Sequence, residues 1–238
     1  MTIIDSHNHV GTIRKARQSG GDLVAKMDKA GVERAVMFPF VEGDFTNDEI
    51  RVAHKEFPDR LIPYCAVNPW NAGALDELRR CIETDGFKGL KLHPTINGYH
   101  LSDPLLCDPL FEACGEYGIP IVVHGASDLR NCPPEFALMA ARFPNVTLIM
   151  AHMGFFWSVD QAIRFANEYP NLYLETSRVP IFEIQKAVSE VGADKVIWGT
   201  DSPFVDYKLE FEKMSGAAED RAAYEKIVGG NIARILKL

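Results

Sequence analysis

The sequence has no apolar run near the roughly 20 residues that cross a bilayer; its longest, around Ile119 to Val123, is the size of a strand. A membrane partner is therefore not expected. It has only five cysteines, at 65, 81, 107, 114 and 132, and no CxxC pair. An odd, unpaired set argues against a disulfide framework or a thiolate metal site and for reduced thiols. It has no block of lysine or arginine; acidic and basic residues are mixed along the chain, with a formal net charge of −8. That leaves no phosphate-binding stripe, so nucleic acid is not expected as a partner. Neither GxGxxG nor GxxxxGK[ST] follows the first apolar segment, which removes the usual support for a nucleotide-binding sheet. Low-complexity stretches and interdomain linkers are also missing. The first strand candidate begins at Ile3 and Ile4, leaving no room for a signal peptide, and the expected location is cytoplasmic.

What is present is a repeat of short apolar runs separated by helical patterns. Strands are expected at Thr2–Ser6, Arg34–Phe38, Leu61–Ala66, Gly86–Leu92, Ile119–Val123, Val146–Ala151, Leu172–Glu175 and Val196–Gly199. Near-continuous apolar runs suit parallel strands covered on both faces. Helix ends between them are legible. Asp22 is expected to cap a helix running to Gly31. Thr46 with Glu49 fits a capping box before Ile50–Phe57. Pro109 and the pair Pro133–Pro134 open two more helices, and Gly118 closes one. Eight strands alternating with helices, in 238 residues, imply an α/β fold of one domain spanning 1–238. An open doubly wound sheet fits the alternation as well as a (β/α)8 barrel does.

Polar residues fall where the strands end, which is where a barrel of this kind carries its chemistry. Strand one is followed by His7–Asn8–His9, strand four by Lys91–Leu92–His93, strand five by His124, strand six by His152 and strand eight by Thr200–Asp201. His7 and His9 are two apart, so a strand presents both on one face with Asn8 opposite. Two imidazoles on one wall can serve one metal ion, with His124 and Asp201 reaching it from elsewhere in the ring. Asp5 shares that parity and reads either as a support for a ligand or as a buried structural acid. Arg178, just beyond strand seven, has the planar fork that holds a carboxylate, with Lys91 beside it and His93 also facing the mouth. Trp70, Phe155, Phe156 and Trp157 follow strand ends and are candidates for an apolar wall. His54 reads as solvated helix surface and His100 as a loop residue.

The segments IIDSHNHVG, GFKGLKLHP, YGIPIVVHGAS, FPNVTLIMAHMG, NLYLETS, VIWGTDSPF and IVGGNIARIL, in that order, resemble the amidohydrolase superfamily. The likeness is to the amidohydrolase-related group that includes aminocarboxymuconate-semialdehyde decarboxylase. It covers nearly the whole chain and implies a distorted, single-domain (β/α)8 TIM barrel with a metal centre at its mouth. By motif, His7, His9, His124 and Asp201 look like the ligands of one divalent ion, zinc before manganese or iron. Asp201 also looks like the group that takes a proton from metal-bound water, and His152 like a catalytic neighbour. In members with two metals, His152 becomes a ligand and a carbamylated Lys91 bridges the ions.

The activity the resemblance implies first is hydrolysis of an ester, lactone or amide of a small anionic substrate by metal-activated water. The alternatives are a non-oxidative decarboxylase or hydratase of a small carboxylate, a TatD-type metal-dependent nuclease, and a non-catalytic binding protein. TatD-type enzymes usually carry a glutamate where this chain has Lys91–Leu92–His93. Short loops at the mouth fit a small-molecule substrate or a homo-oligomer in which a second subunit closes the site.

Overall fold

The computed structural model describes residues 2–14, 16–126, 128–218 and 220–238; Ser127, at the end of the third matching segment, lies outside the described residues. Its strands are β1 (Ile4–Ile13), β2 (Ala16–Gln18), β3 (Arg34–Pro39), β4 (Leu61–Pro63), β5 (Cys65–Ala66), β6 (Leu90–Leu92), β7 (Ile121–His124), β8 (Leu148–Ala151), β9 (Leu172–Glu175) and β10 (Val196–Ile197). The ladders run β1–β3–β4 and β5–β6–β7–β8–β9–β10, all parallel. β4 and β5 are one wall, interrupted at Tyr64, whose amide still bonds Met37 O at 2.9 Å while Cys65 N bonds Gly89 O at 2.8 Å. The other seam is closed by Ser6 N to Trp198 O, Asp201 N to His7 O and His9 N to Ser202 O, at 2.8–3.2 Å. The sheet is thus a ring of eight walls, a TIM barrel, and the open-sheet alternative falls.

Helices cover the outside of the ring: α1 (Gly20–Ala30), α2 (Asp48–Glu56), α3 (Ala74–Glu83), α4 (Pro94–Asn97), α5 (Asp108–Tyr117), α6 (Pro133–Arg142), α7 (Val159–Glu168), α8 (Ile181–Val191), α9 (Tyr207–Ala217), α10 (Arg221–Glu225) and α11 (Asn231–Leu236). Their apolar faces and the outward residues of the strands, such as Leu90, Leu92, Ile121 and Val123, form the larger core. The barrel interior is a smaller one, built from Ile4, Val36, Phe38, Ile62, Tyr64, Val122, Ile149, Ala151 and Ile197, with Ile232 of α11 plugging its lower end. Apolar filling below and polar side chains above follow from strand alternation. One inward position near each strand's start packs the core, and the next inward position faces the mouth.

Four local expectations are corrected. β1 does not stop at Ser6. It runs on to Ile13 and turns back as an antiparallel hairpin with β2, Gly11 opposite Gln18. His7 and His9 therefore stand inside a strand, tied on both sides. α1 is capped by Ser19, with Asp22 three residues on completing a reciprocal box (Asp22 N to Ser19 Oγ 3.1 Å, Ser19 N to Asp22 Oδ2 2.9 Å). The Thr46–Glu49 box does not form. Asn47 is itself buried; it occupies the cap position of α2 and turns its amide inward, to the buried Ala66 O at 3.1 Å and the half-buried Glu77 Oε1 at 2.8 Å, rather than to the helix end. His54 is likewise tied down rather than merely solvated, its Nδ1 on Leu61 O at 2.8 Å. All five cysteines are unbridged, and no helix of the described residues is long and apolar enough to cross a membrane.

The C-terminal segment passes so close to β1 that a side chain at Gly229 would overlap the carbonyl oxygen of Thr2. Gly229→Ala is expected to destabilise the protein by about 3 kcal/mol, since backbone rather than a pliable side chain must move. A urea midpoint equal to that of the parent would show that the two segments are not locked together.

Candidate metal centre

His7 and His9 face the same side of β1, and Asn8 points the other way, donating to Val36 O at 3.0 Å. Across the seam, the chain leaves β10 and turns sharply at Asp201, which has φ +60. A residue with a Cβ holds that conformation only where its surroundings impose it, at a cost of roughly 1 kcal/mol. Here they are Asp201 N on His7 O and the buried Asp5. The Asp5 carboxylate accepts from His7 N (3.1 Å), Thr200 N (3.0 Å) and Thr200 Oγ1 (2.6 Å). Burial pushes Asp5 up to about 7, against those hydrogen bonds. Asp5 thus organises backbone rather than an imidazole ring. The outcome is a carboxylate oxygen, Asp201 Oδ1, 3.4 Å from His7 Nε2 and 3.2 Å from His9 Nε2.

The outer nitrogens assign the tautomers. His7 Nδ1 lies 3.0 Å from Glu175 Oε2 and His9 Nδ1 3.3 Å from Pro39 O, both acceptors. Each Nδ1 therefore carries a proton, and in the neutral ring this leaves Nε2 as a lone pair facing Asp201. Burial, then the charge of Lys91, holds the His7 pKa well below its ordinary value, so a second proton is not available to it. Two lone pairs and a carboxylate oxygen pointed at one another repel; Lys91 Nζ, 3.4 Å from His7 Nε2, offsets this at one of them, and a cation among all three would offset it fully. These three residues form a buried group whose ligand atoms lie within 4.8 Å of one another, and imidazole nitrogen with carboxylate oxygen suits a divalent ion. The donor set fits a divalent metal site.

A second grouping, His7, His152 and Glu175, is as compact but is already internally bonded. Glu175 accepts from His7 Nδ1, from His152 N (3.2 Å), from Ser177 N (2.7 Å) and from Ser177 Oγ (2.8 Å). Its oxygens are occupied by donors, so it acts on the metal group from behind. The fit is close: a side chain at Gly199 would overlap Glu175 Oε1 and stand 2.8 Å from His7 Cβ.

The remaining expected residues surround a cavity of about 170 Å3 above this centre. His152 follows β8 at φ +63, with Nδ1 on Ser177 O at 3.0 Å, so its Nε2 lone pair is free; burial lowers its pKa. Lys91 is buried 4.5 Å above the Phe38 ring, its Nζ 3.4 Å from His7 Nε2. Burial lowers it to about 8, with Asp201 and Glu175 pulling the other way. As an ammonium it donates and does not ligate. His124, at the end of β7, stacks on His93 with centroids 3.9 Å apart and lies 4.9 Å from the His152 ring. It lines the cavity but is not in the convergent group with His7, His9 and Asp201. His93 Nδ1 accepts from Ile96 N at 3.4 Å, which leaves an Nε2–H. Burial, then Lys91, lowers its pKa to about 2, so it stays neutral. Arg178 (φ +63) reaches across the mouth, with Nη1 3.3 Å from Asp201 Oδ2 and half its side chain exposed.

The apolar wall is not the expected one. Trp70, Phe155, Phe156 and Trp157 are exposed and line no part of this cavity; Ile13, Phe40, Val41, Ile96 and Phe204 do. Phe40 stacks on His9 at 4.9 Å, and Phe204 meets both rings edge-on at 5.8 Å. Sequence reasoning also missed Glu175 and Ser177. Their only signal was an acid ending an apolar strand, inside the segment NLYLETS.

The family model described as "Amidohydrolase" matches residues 4–238. The chain belongs to the amidohydrolase family. Among curated relatives, the 2-amino-3-carboxymuconate-6-semialdehyde decarboxylase of Dictyostelium discoideum is 24% identical over 82% of this chain and 66% of its own length. The chain spans about two thirds of the length of the curated relatives it matches. Of solved structures, an uncharacterised TIM-barrel protein of Bordetella bronchiseptica superposes with a TM-score of 0.84 at 20% identity, covering 100% of this chain and 99% of that one. A dihydroxybenzoic acid decarboxylase of a Polaromonas species, solved with bound manganese and an inhibitor, gives 0.77 at 19% identity, covering 100% and 97%. These structural likenesses show the fold alone.

Proposed function

We propose that this amidohydrolase is a metal-dependent, non-oxidative decarboxylase of a small carboxylate borne on a planar unsaturated skeleton. The observation that carries the reading is Arg178. A half-exposed guanidinium beside the metal group, over the Phe204 ring at 5.9 Å, offers a fork for a carboxylate at the mouth. The slot of Phe40, Phe204 and Val41 admits a flat ring, and its roughly 170 Å3 suits a molecule no larger than a substituted benzoate. The relatives named as decarboxylases of unsaturated acids support the same choice, and the expectation of hydrolysis yields to its alternative.

His7, His9 and Asp201 would hold the ion, with His124 as the proposed fourth ligand. A divalent cation there would supply Lewis acidity toward the substrate. Arg178 holds the carboxylate, and the His93 Nε2–H donates to a neighbouring oxygen. As the C–CO2− bond breaks, its electron pair stays on carbon, and a proton held at Asp201 or His152 passes to that carbon. Carbon dioxide leaves without net redox change. We propose one ion per chain, with manganese ahead of zinc and Lys91 unmodified.

The deciding experiment is a screen of carboxylated aromatics with manganese-loaded protein, reading carbon dioxide. The expected result is release from at least one hydroxybenzoate-type acid, lost on dialysis against a chelator and restored by about one equivalent of manganese. Incorporation of labelled water into ester or lactone products, with no carbon dioxide from any acid, would return the assignment to hydrolysis.

A further inference from the structure

We infer that Glu210 is a positioning residue that sets the aim of Arg178 across the mouth; the inference rests on Arg178 being the carboxylate anchor proposed above. Arg178 lies in the left-handed region at φ +63, a conformation a residue with a Cβ avoids unless it is held there. The hold comes from α9, on the outside of the barrel. Glu210 Oε1 accepts the Arg178 amide at 3.2 Å, and Lys213 Nζ donates to the Val179 carbonyl at 3.1 Å. The two side chains pair with each other at 2.6 Å. Both backbone groups flanking the turn are thus gripped by one helix.

The pair is an expensive way to pack a helix. Glu210 is wholly buried and Lys213 nearly so. Burial pushes the Glu210 carboxyl up to about 7, opposed first by Lys213. Two apolar residues at these positions would bury as much surface without stripping water from two charges. What the charged pair supplies, and an apolar pair would not, is directional bonding to the 178–179 backbone. One turn earlier, the Tyr207 hydroxyl donates to Asn8 Oδ1 at 3.3 Å, fixing α9 to the first strand beside His7 and His9. The helix therefore sets the distance between the metal-binding strand and the arginine, and the guanidinium arrives at Asp201 Oδ2 as a result.

Calorimetric titration of 2,6-dihydroxybenzoate into manganese-loaded protein tests this. Arg178→Ala is expected to weaken binding about tenfold. The double variant Glu210→Leu/Lys213→Met removes both charges together, which favours folding, and is expected to weaken binding by a similar factor. Added to Arg178→Ala, it should cost less than about twofold more, because its effect runs through the arginine. Glu210→Gln keeps the oxygen that accepts the Arg178 amide and should stay within about threefold of the parent. A ligand-free check is phenylglyoxal labelling of Arg178, read by peptide mass spectrometry. It should speed up about fivefold in the double variant as the guanidinium leaves Asp201. Additive losses, or parental affinity and labelling in the double variant, would overturn the inference. Parental affinity in Arg178→Ala would instead remove the anchor reading beneath it.

Discussion

Asp201→Asn is expected to lower turnover about a thousandfold while shifting the melting temperature by only a few degrees. The substitution is nearly isosteric, and the backbone bond from Asp201 N to His7 O, which closes the barrel seam, does not involve the side chain. Two things are lost together. The negative charge facing the two imidazoles disappears, so the proposed cation would be held by neutral donors alone. The group proposed to hold the transferred proton also loses its acid–base chemistry, since an amide neither takes up nor releases a proton near neutral pH. The Arg178 guanidinium keeps only a neutral partner at 3.3 Å and becomes more mobile. Steady-state kinetics at saturating manganese separates weakened metal binding from lost proton transfer. A variant within tenfold of the parent under those conditions would exclude Asp201 from the proton-transfer role.

Glu175→Gln is expected to weaken manganese binding about a hundredfold, although Glu175 is not proposed as a ligand. In the parent, its carboxylate is surrounded by donors: His7 Nδ1, the amides of His152 and Ser177, and the Ser177 hydroxyl. A glutamine offers one oxygen and one NH2 where two acceptors are required. If its NH2 faces His7, the ring must give up the Nδ1 proton and carry it on Nε2, which blocks a ligand position. If its NH2 faces the Ser177 amide, two donors collide in a buried space. Either arrangement also leaves unpaired groups worth about 1–3 kcal/mol of stability. Manganese affinity by competition with a chelator is the readout. An unchanged constant would mean that His7 is oriented by β1 alone.

These two residues mark how far the sequence was legible. Asp201 could be read because a polar residue directly after an apolar strand stands out, and the two-residue spacing of His7 and His9 translates directly into a shared face. Arg178, His93 and Lys91 were found by the same positional logic, and the structure brings all three to the cavity. Glu175 gave a similar positional sign, an acid closing an apolar strand, but nothing beside it to say what it faces. An acid at a strand end reads the same whether it faces solvent, metal or a histidine, and only folding revealed three strand exits meeting around it. The β1–β2 hairpin was hidden for a related reason. His7–Asn8–His9 resembled the end of a strand, because inward polar residues interrupt an apolar run as a turn does. No Asn-Gly or Asp-Gly marks the reversal. The cap of α2 was misread because Asn47 answers to Ala66 and Glu77, partners outside any local window. Phe40 and Phe204 were passed over for more conspicuous aromatics that remain in solvent.

The seam between the first and last walls of the barrel has a consequence for how the chain assembles. The bonds from Thr200 to Asp5 span 195 residues, and contacts of that separation are the slowest to be rewarded as a chain folds. His7 and His9 lie on one lip of this join and Asp201 on the other. An ion held between them works as a clasp on the ring, and its binding free energy adds to the cohesion of the join. The proposed metal centre would then also fasten the ring. Loss of the proposed ion would then loosen the ring at this join, where its first and last walls meet, before the interrupted wall around Tyr64.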